Sequence, residues 1–106
     1  MSYATGLTFE LLSGFDSQPF LAVSRVLESS AANFAGVLVG DALLQIDDRI
    51  VSGVDDVARC IGPYGSVVHL KFRRKAGNSV HWVSLIREIK VCYRRYVFGV
   101  SVRWSV

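Results

Sequence analysis

The sequence predicts an α+β domain in which a small, curled and mostly antiparallel β-sheet, or partial barrel, is capped by two α-helices. Three observations favour this class. Apolar and polar residues alternate near both ends of the chain, two short helical patterns interrupt the strands, and glycine-containing turns separate the elements. The 106 residues, 51% of them hydrophobic, suffice for one domain with one core and exclude a disordered or collagen-like chain.

The first two strands are predicted on either side of a turn. Leu7, Phe9 and Leu11 alternate with polar residues, which is typical of a half-buried strand. Residues 13–19 have the composition of a turn, and residues 20–27 are rich in residue types that favour strands. We therefore expect two neighbouring strands at the start of the domain.

Two helices are predicted next. Residues 28–36 place serines before an alanine-rich turn that ends at glycine, so we expect one or two helical turns with a serine cap. Residues 54–61 form the second helix, whose acidic first turn suits the positive end of the helix dipole. One face of this helix is apolar at α-helical spacing: Val54, Val57, Ala58 and Ile61.

The remaining segments are predicted as strands. Residues 42–46 form a short buried strand between the helices. Residues 66–74 and 79–87 form two long strands joined by the glycine-containing loop 75–78. Residues 89–106 again alternate in the manner of a strand.

The charge is distributed unevenly along the chain. Residues 1–62 contain three basic and eight acidic residues, and residues 63–106 contain nine basic residues and one acidic residue. A basic surface that binds anionic lipid is therefore an alternative function, whereas a nucleic-acid partner is less favoured. The candidate basic patch consists of Lys71, Arg73, Arg74, Lys75, Arg94 and Arg95.

Catalytic and metal-binding motifs are missing from the sequence. It contains no Gly-x-Ser-x-Gly element and no glycine-rich phosphate loop, so we expect a protein that is not an enzyme and uses no cofactor. His69 and His81 are predicted to face each other as ordinary strand residues, and Cys60 and Cys92 to be buried as small apolar residues. Lacking a membrane-length apolar run and a secretory signal, the chain is expected to be cytoplasmic.

The order of elements resembles that of a PDZ domain. The residues that resemble this family are the strand and small-residue helix of 23–32, the Ala-Gly pair at 35–36, and the Gly-Asp turn and apolar strand within 39–46. Residues 54–61 and 65–72 resemble the family's second helix and the strand after it. The resemblance implies a PDZ-like fold and a non-catalytic interaction module, often part of a scaffold.

The resemblance also implies how a ligand binds. PDZ domains take up the last residues of a partner protein as an added strand between their second strand and second helix. The peptide carboxylate lies in an apolar-Gly-apolar loop before that strand. The expected partners are therefore C-terminal or internal peptides of other proteins.

The loop departs from the usual Gly-Leu-Gly-Phe of the family. Either Thr8 replaces the second glycine, or the loop is Thr5-Gly6-Leu7. Residues 96–104 repeat the pattern of residues 3–11, which favours the second register and offers an alternative loop. The candidate residues are Thr5, Gly6, Leu7, Thr8 and Phe9, with Phe98, Gly99 and Val100 as the alternative.

The groove residues implied by the resemblance are Leu11, Val54, Ala58 and Ile61. An apolar residue at position 54, the start of the second helix, predicts ligands that end apolar-x-apolar. The chain's own residues 104–106, Trp-Ser-Val, have this form, so self-association through the tail is one prediction. Self-assembly with a closed groove is another alternative.

We divide the chain into a PDZ-like domain, residues 1–88, and a strand segment, residues 89–106. Residues 1–5 are judged too short to supply the strand that precedes the loop. The segment 89–106 therefore either completes the sheet, as in permuted PDZ domains, or starts a following repeat of a tandem array.

Overall fold

The computed structural model describes residues 3–13, 18–90 and 103–105. In chain order the elements are β1 (Tyr3–Ala4), β2 (Leu7–Ser13), β3 (Pro19–Val26), α1 (Ala31–Phe34), β4 (Ala42–Ile46), β5 (Arg49–Ile50), a 3₁₀-helix (Val54–Cys60), β6 (Val67–Arg73), β7 (Val80–Ile86), β8 (Ile89–Lys90) and β9 (Arg103–Ser105).

The described strands form one main sheet and a separate two-stranded ribbon. The strand order of the sheet is β7-β6-β4-β3-β2-β9, with β5 paired to β4, and the ribbon joins β1 to β8. All of these pairs are antiparallel. The predicted α+β class is confirmed, and the sheet is open.

Burial follows the alternation read from the sequence. In β6, Val68, Leu70 and Phe72 are fully buried, while the residues between them face outwards. In β2, Leu7 and Phe9 are buried in the same core. Because successive side chains of a strand point to opposite faces, this pattern places the core on one side of the sheet.

Helix α1 has the predicted cap and end. The Ser30 Oγ accepts a hydrogen bond from the Asn33 N–H at 3.2 Å and donates one to the Leu27 carbonyl at 2.7 Å. The chain leaves the helix through Gly36, whose φ of +82° lies in the left-handed region. The helix itself spans a single turn.

The second helix differs from the prediction. It is a 3₁₀-helix with three residues per turn, so Val54, Val57 and Cys60 share its inner face. Ala58, which α-helical spacing places on the apolar face, is exposed. Ile61 follows the end of the helix in extended backbone and is half-buried.

A strand is present at the start of the described chain, although residues 1–5 were expected to be too short for one. Tyr3 lies opposite Lys90, and Ala4 lies opposite Ile89. Tyr3 also exchanges hydrogen bonds of 2.8 and 3.0 Å with Gly62. The expectation is wrong because β8 and Gly62 together provide partners for a strand of only two residues.

The β6–β7 hairpin fixes the positions of both histidines. Its loop, residues 75–78, is confirmed as predicted. The resulting register sets His69 opposite Ser84 and His81 opposite Phe72. The expectation that the two histidines face each other is therefore wrong.

Candidate functional site

Gly6 joins β1 to β2 at a position that only glycine fits. Its φ of +97° is in the left-handed region, which side chains rarely adopt. A Cβ at this position would collide with the Cβ and Oγ of Ser30, the residue that caps α1. Thr5 and Leu7, on either side of it, are fully buried. The loop is thus held rigidly against the start of α1.

The carbonyls of this loop point into the protein. The Gly6 carbonyl accepts a hydrogen bond from the Leu27 N–H at 2.8 Å, and the Thr5 carbonyl accepts one from the Ala32 N–H at 3.3 Å. The described peptide bonds are all trans, so each N–H points away from the carbonyl of its own peptide group. The N–H groups of Gly6 and Leu7 therefore point away from α1 and β3. Successive outward N–H groups of this kind form a concavity suited to an anion.

Strand β2 continues from this loop and has a partner on both sides. On its inner side it pairs with β3 over its whole length, with a bulge between Thr8 and Phe9. On its outer side it pairs with β9, which sets Thr8 opposite Ser105 and Phe9 opposite Trp104. Strand β9 runs antiparallel to β2, towards the Gly6 loop. A segment of the same chain thus lies at the edge where the sequence predicts the peptide.

The predicted groove residues differ in exposure. Leu11, further along β2, is 42% exposed. Val54 and Ile61 are half-buried against the core, and Ala58 is exposed. Phe98, Gly99 and Val100, the alternative loop, lie outside the described residues.

Asp56 caps the start of the 3₁₀-helix. Its Oδ2 accepts hydrogen bonds from the Ser52 N–H at 2.6 Å and the Gly53 N–H at 3.0 Å, and its Oδ1 pairs with Arg59 one turn later. The Ser52 N–H chiefly, together with Gly53 and Arg59, holds the pKa of Asp56 below its ordinary value of 3.8, while partial burial opposes this shift. The carboxylate therefore stabilises the helix in its charged form.

Replacing Asp56 with alanine is expected to lower the free energy of unfolding at pH 7 by about 0.5–2 kcal/mol, since the helix loses its cap. Because the folded pKa is depressed, this contribution is present above the unfolded pKa and disappears as the pH falls through the folded pKa. Urea unfolding at pH 7 and at lower pH measures it. The exposed neighbour provides the control Asp55→Ala; equal losses in both variants at pH 7 would contradict the capping role.

Arg87 holds the other end of the 3₁₀-helix. It is 8% exposed, and its guanidinium donates hydrogen bonds of 3.0 Å to the carbonyls of Arg59 and Cys60. It also donates to the Ser66 Oγ at 3.0 Å. The positive guanidinium therefore satisfies carbonyls at the negative end of the helix. The sequence contained a signal for this residue, because Arg87 continues the inward alternation of Val83 and Leu85.

Cys60 closes the inner face of the helix as a free thiol that is fully buried. Burial raises its pKa to about 12, although the positive charges of Arg87 and Arg59 act in the opposite direction. The prediction of a buried, apolar role is confirmed for Cys60. Cys92 lies outside the described residues.

The predicted basic patch divides into residues with different surroundings. Arg74 lies 3.6 Å from the fully buried Asp41 carboxylate and donates to the Gly36 carbonyl at 3.3 Å, so it links the hairpin to α1. Lys71 lies over the ring of Trp82, with its Nζ 5.9 Å from the ring centroid.

Arg73 and Lys75 are the exposed members of the patch that the structure describes. They line an open cleft together with apolar residues of β2 and β3, among them Leu12 and Phe20. Arg94 and Arg95 lie outside the described residues. Over the described part of the chain, no helix has the length and apolar character of a membrane span. The same residues contain no group of three or more side chains suited to hold a metal ion.

These features define a small domain with an open antiparallel sheet, a glycine loop and a strand edge that accepts a further strand. The chain belongs to the PDZ domain family, since the family's model matches residues 22–74, half of the chain. The resemblance seen in the sequence is confirmed. PDZ domains generally bind peptides of other proteins, so a peptide-binding interaction module is supported in general terms.

A solved structure, that of a photosystem II D1 C-terminal processing protease, is similar to this chain with a TM-score of 0.71 and 20% sequence identity. The match covers 85% of this chain and 24% of the protease chain. This similarity concerns the fold alone. No curated protein matches the chain by sequence.

Proposed function

We propose that this chain is a non-catalytic module that captures short peptides, foremost the C-terminal ends of other proteins, by adding them as a strand to the outer edge of β2. The observation that supports this most strongly is the pairing of β2 with β9. This pairing supports the proposal because β9 is antiparallel to β2 and runs towards the Gly6 loop, which is the direction required of a peptide with its carboxylate at the loop.

The Gly6 loop is proposed to receive that carboxylate. The outward N–H groups of Gly6 and Leu7 provide donors without an intervening side chain, and the hydrogen bonds accepted by the Thr5 and Gly6 carbonyls fix their direction. Charge-assisted hydrogen bonds to a carboxylate are stronger than those to a neutral amide. Amidation of the ligand's terminus should therefore weaken binding.

The start of the 3₁₀-helix is proposed to set specificity. Val54 is half-buried at the first position of this helix, with Asp56 and Arg87 holding the helix at its two ends. An apolar residue there favours an apolar side chain at the third residue from the peptide's end. The expected ligands end apolar-x-apolar, and the module would act as part of a scaffold in a cytoplasmic setting.

The proposal is tested with fluorescent peptides that carry a free carboxylate, their amidated counterparts, and NMR mapping of the bound state. We expect shifts along β2 and the 3₁₀-helix, and a loss of affinity of about tenfold or more on amidation, on the scale of a charged hydrogen bond. Equal affinity for both forms would exclude the carboxylate loop. No binding by any peptide would exclude the proposed function.

Replacing Val54 with histidine should change the preferred ligand. A histidine N–H donates a hydrogen bond to a hydroxyl, so peptides ending Ser/Thr-x-apolar should bind more tightly and those ending apolar-x-apolar about tenfold more weakly. The same peptide panel measures this change, with the variant Ala58→His as control. If Ala58→His alone altered the preference, the specificity position would be the exposed residue 58 and not the first residue of the helix.

The alternative of a basic surface that binds anionic lipid has less support. Arg74 is engaged with Asp41, and Lys71 with Trp82. Binding through Arg73 and Lys75 would weaken steeply as the salt concentration rises, whereas strand addition would depend on salt far less. Parallel salt titrations of peptide binding and of binding to anionic lipid vesicles therefore distinguish the two functions.

A further inference from the structure

Three residues of the same chain occupy part of the outer edge of β2. Ser105, Trp104 and Arg103 lie opposite Thr8, Phe9 and Glu10, respectively. An unpaired strand edge offers a row of hydrogen-bonding groups to any other strand. Here the part of that row at Thr8, Phe9 and Glu10 is already paired.

We propose that the segment Arg103–Ser105 is a tethered ligand of the chain's own peptide edge, which incoming peptides must displace. This inference rests on the proposed function of that edge. Its regulatory consequence is that the module is self-occupied, and its affinity for partners depends on whether the segment is docked or released.

The sequence of the segment suits this role. Residues 104–106 read Trp-Ser-Val, the apolar-x-apolar pattern that Val54 is proposed to select. The register also sets Arg103 opposite Glu10, and oppositely charged residues at directly opposed positions favour a cross-strand register. The tethered segment thus shares the apolar-x-apolar side-chain pattern of the expected partners.

The connection to the rest of the domain supports docking within one chain. Strand β8 pairs with β1, so the chain at Lys90 lies beside Tyr3, close in sequence to the Gly6 loop. Twelve residues, 91–102, then connect β8 to β9. Two sites joined by a short tether have an effective concentration on the order of millimolar. Three paired residues form a weak contact that relies on this tether, which makes the segment displaceable.

The first experiment compares one protein before and after a single cut. A specific protease site placed within residues 94–99 of the full chain allows the tail to be cleaved after folding and removed by gel filtration. The probe is a labelled peptide with the sequence of residues 101–106, followed by fluorescence anisotropy. We expect cleavage to raise its affinity by about tenfold or more, because a tethered competitor is lost. Equal affinity before and after cleavage would overturn the inference.

The outcomes separate this inference from the proposed function. If neither form bound any peptide, the function of the edge would be wrong. If both forms bound equally, the edge would bind peptides without regulation by the tail. Sedimentation of the uncut chain should give a monomer; concentration-dependent oligomers would mean that the segment docks on a second copy, and would overturn docking within one chain.

A second variant tests the full chain without cleavage. Glu10→Arg places like charges at the opposed positions of β2 and β9, so the affinity for an uncharged labelled peptide should rise about two- to fivefold. The double variant Glu10→Arg with Arg103→Glu should restore the original affinity. Asp48→Arg, at an exposed acidic position in the turn between β4 and β5, is the matched control. A rise that the double variant fails to reverse would overturn the proposed register.

Discussion

Replacing Gly6 with alanine is expected to destabilise the domain by about 2–5 kcal/mol. A left-handed φ of +97° costs a residue with a Cβ about 1–2 kcal/mol. Its collision with Ser30 adds an overpacking cost of about 1–3 kcal/mol. Urea unfolding monitored by fluorescence measures the loss.

The two contributions can be separated with a variant of Ser30. Ser30→Gly removes the atoms that collide, and a glycine cap costs only a few tenths of a kcal/mol compared with serine. In the double variant Gly6→Ala with Ser30→Gly, the destabilisation caused by the collision should therefore disappear. The destabilisation caused by the left-handed backbone should remain. Additive losses would show that Ser30 does not limit the space at Gly6.

Replacing Arg87 with methionine is expected to lower the free energy of unfolding by about 2–4 kcal/mol. Methionine fills much of the same space but leaves the carbonyls of Arg59 and Cys60 without their buried donor, and lost hydrogen bonds to a charged group are costly. Denaturant unfolding gives the loss. Peptide affinity at a temperature where the variant is folded shows whether the helix has also shifted.

The matched control is Arg73→Met, an exposed arginine on the adjacent strand β6. A surface substitution of this kind should change the free energy of unfolding by no more than about 0.5 kcal/mol. If Arg87→Met cost no more than the control, the guanidinium would not hold the 3₁₀-helix. Arg87→Lys should recover only part of the stability, since one ammonium group lacks the spread of donors that reaches both carbonyls.

The strands could be predicted because buried and exposed residues alternate along each of them, which gives the sequence a period of two. Leu7 and Phe9 in β2, and Val68, Leu70 and Phe72 in β6, alternate with outward residues for this reason. The order of these strands with a capped helix and its Gly36 end was enough to predict the PDZ domain family. At these positions the local sequence pattern and the observed strand topology agree.

The second helix could not be predicted in detail, because its sequence fits two helical periods. An α-helix would align Val54, Val57, Ala58 and Ile61, and a 3₁₀-helix aligns Val54, Val57 and Cys60. Only the packed structure selects three residues per turn and turns Cys60 inwards in place of Ala58. The residues proposed for the carboxylate loop and the groove remain predictions, for which peptide binding is the test.

Long-range pairing explains the other differences. Two residues at Tyr3–Ala4 contain too little pattern to indicate a strand, and they form a strand because β8 and Gly62 supply its partners. Likewise, no periodicity could reveal that β9 would pair with β2. Interactions between segments distant in sequence decide these parts of the fold.

The β1–β8 ribbon also determines how the domain would respond to tension. Tyr3 and Lys90 are directly opposed at one end of this antiparallel pair, and Ala4 and Ile89 are opposed at the other end. A pull through these two points would act across the strands and load the hydrogen bonds one after another, so that the ribbon peels open at low force. When the ribbon opens under such a pull, the tension passes next to Thr5 and Gly6, because these residues directly follow β1.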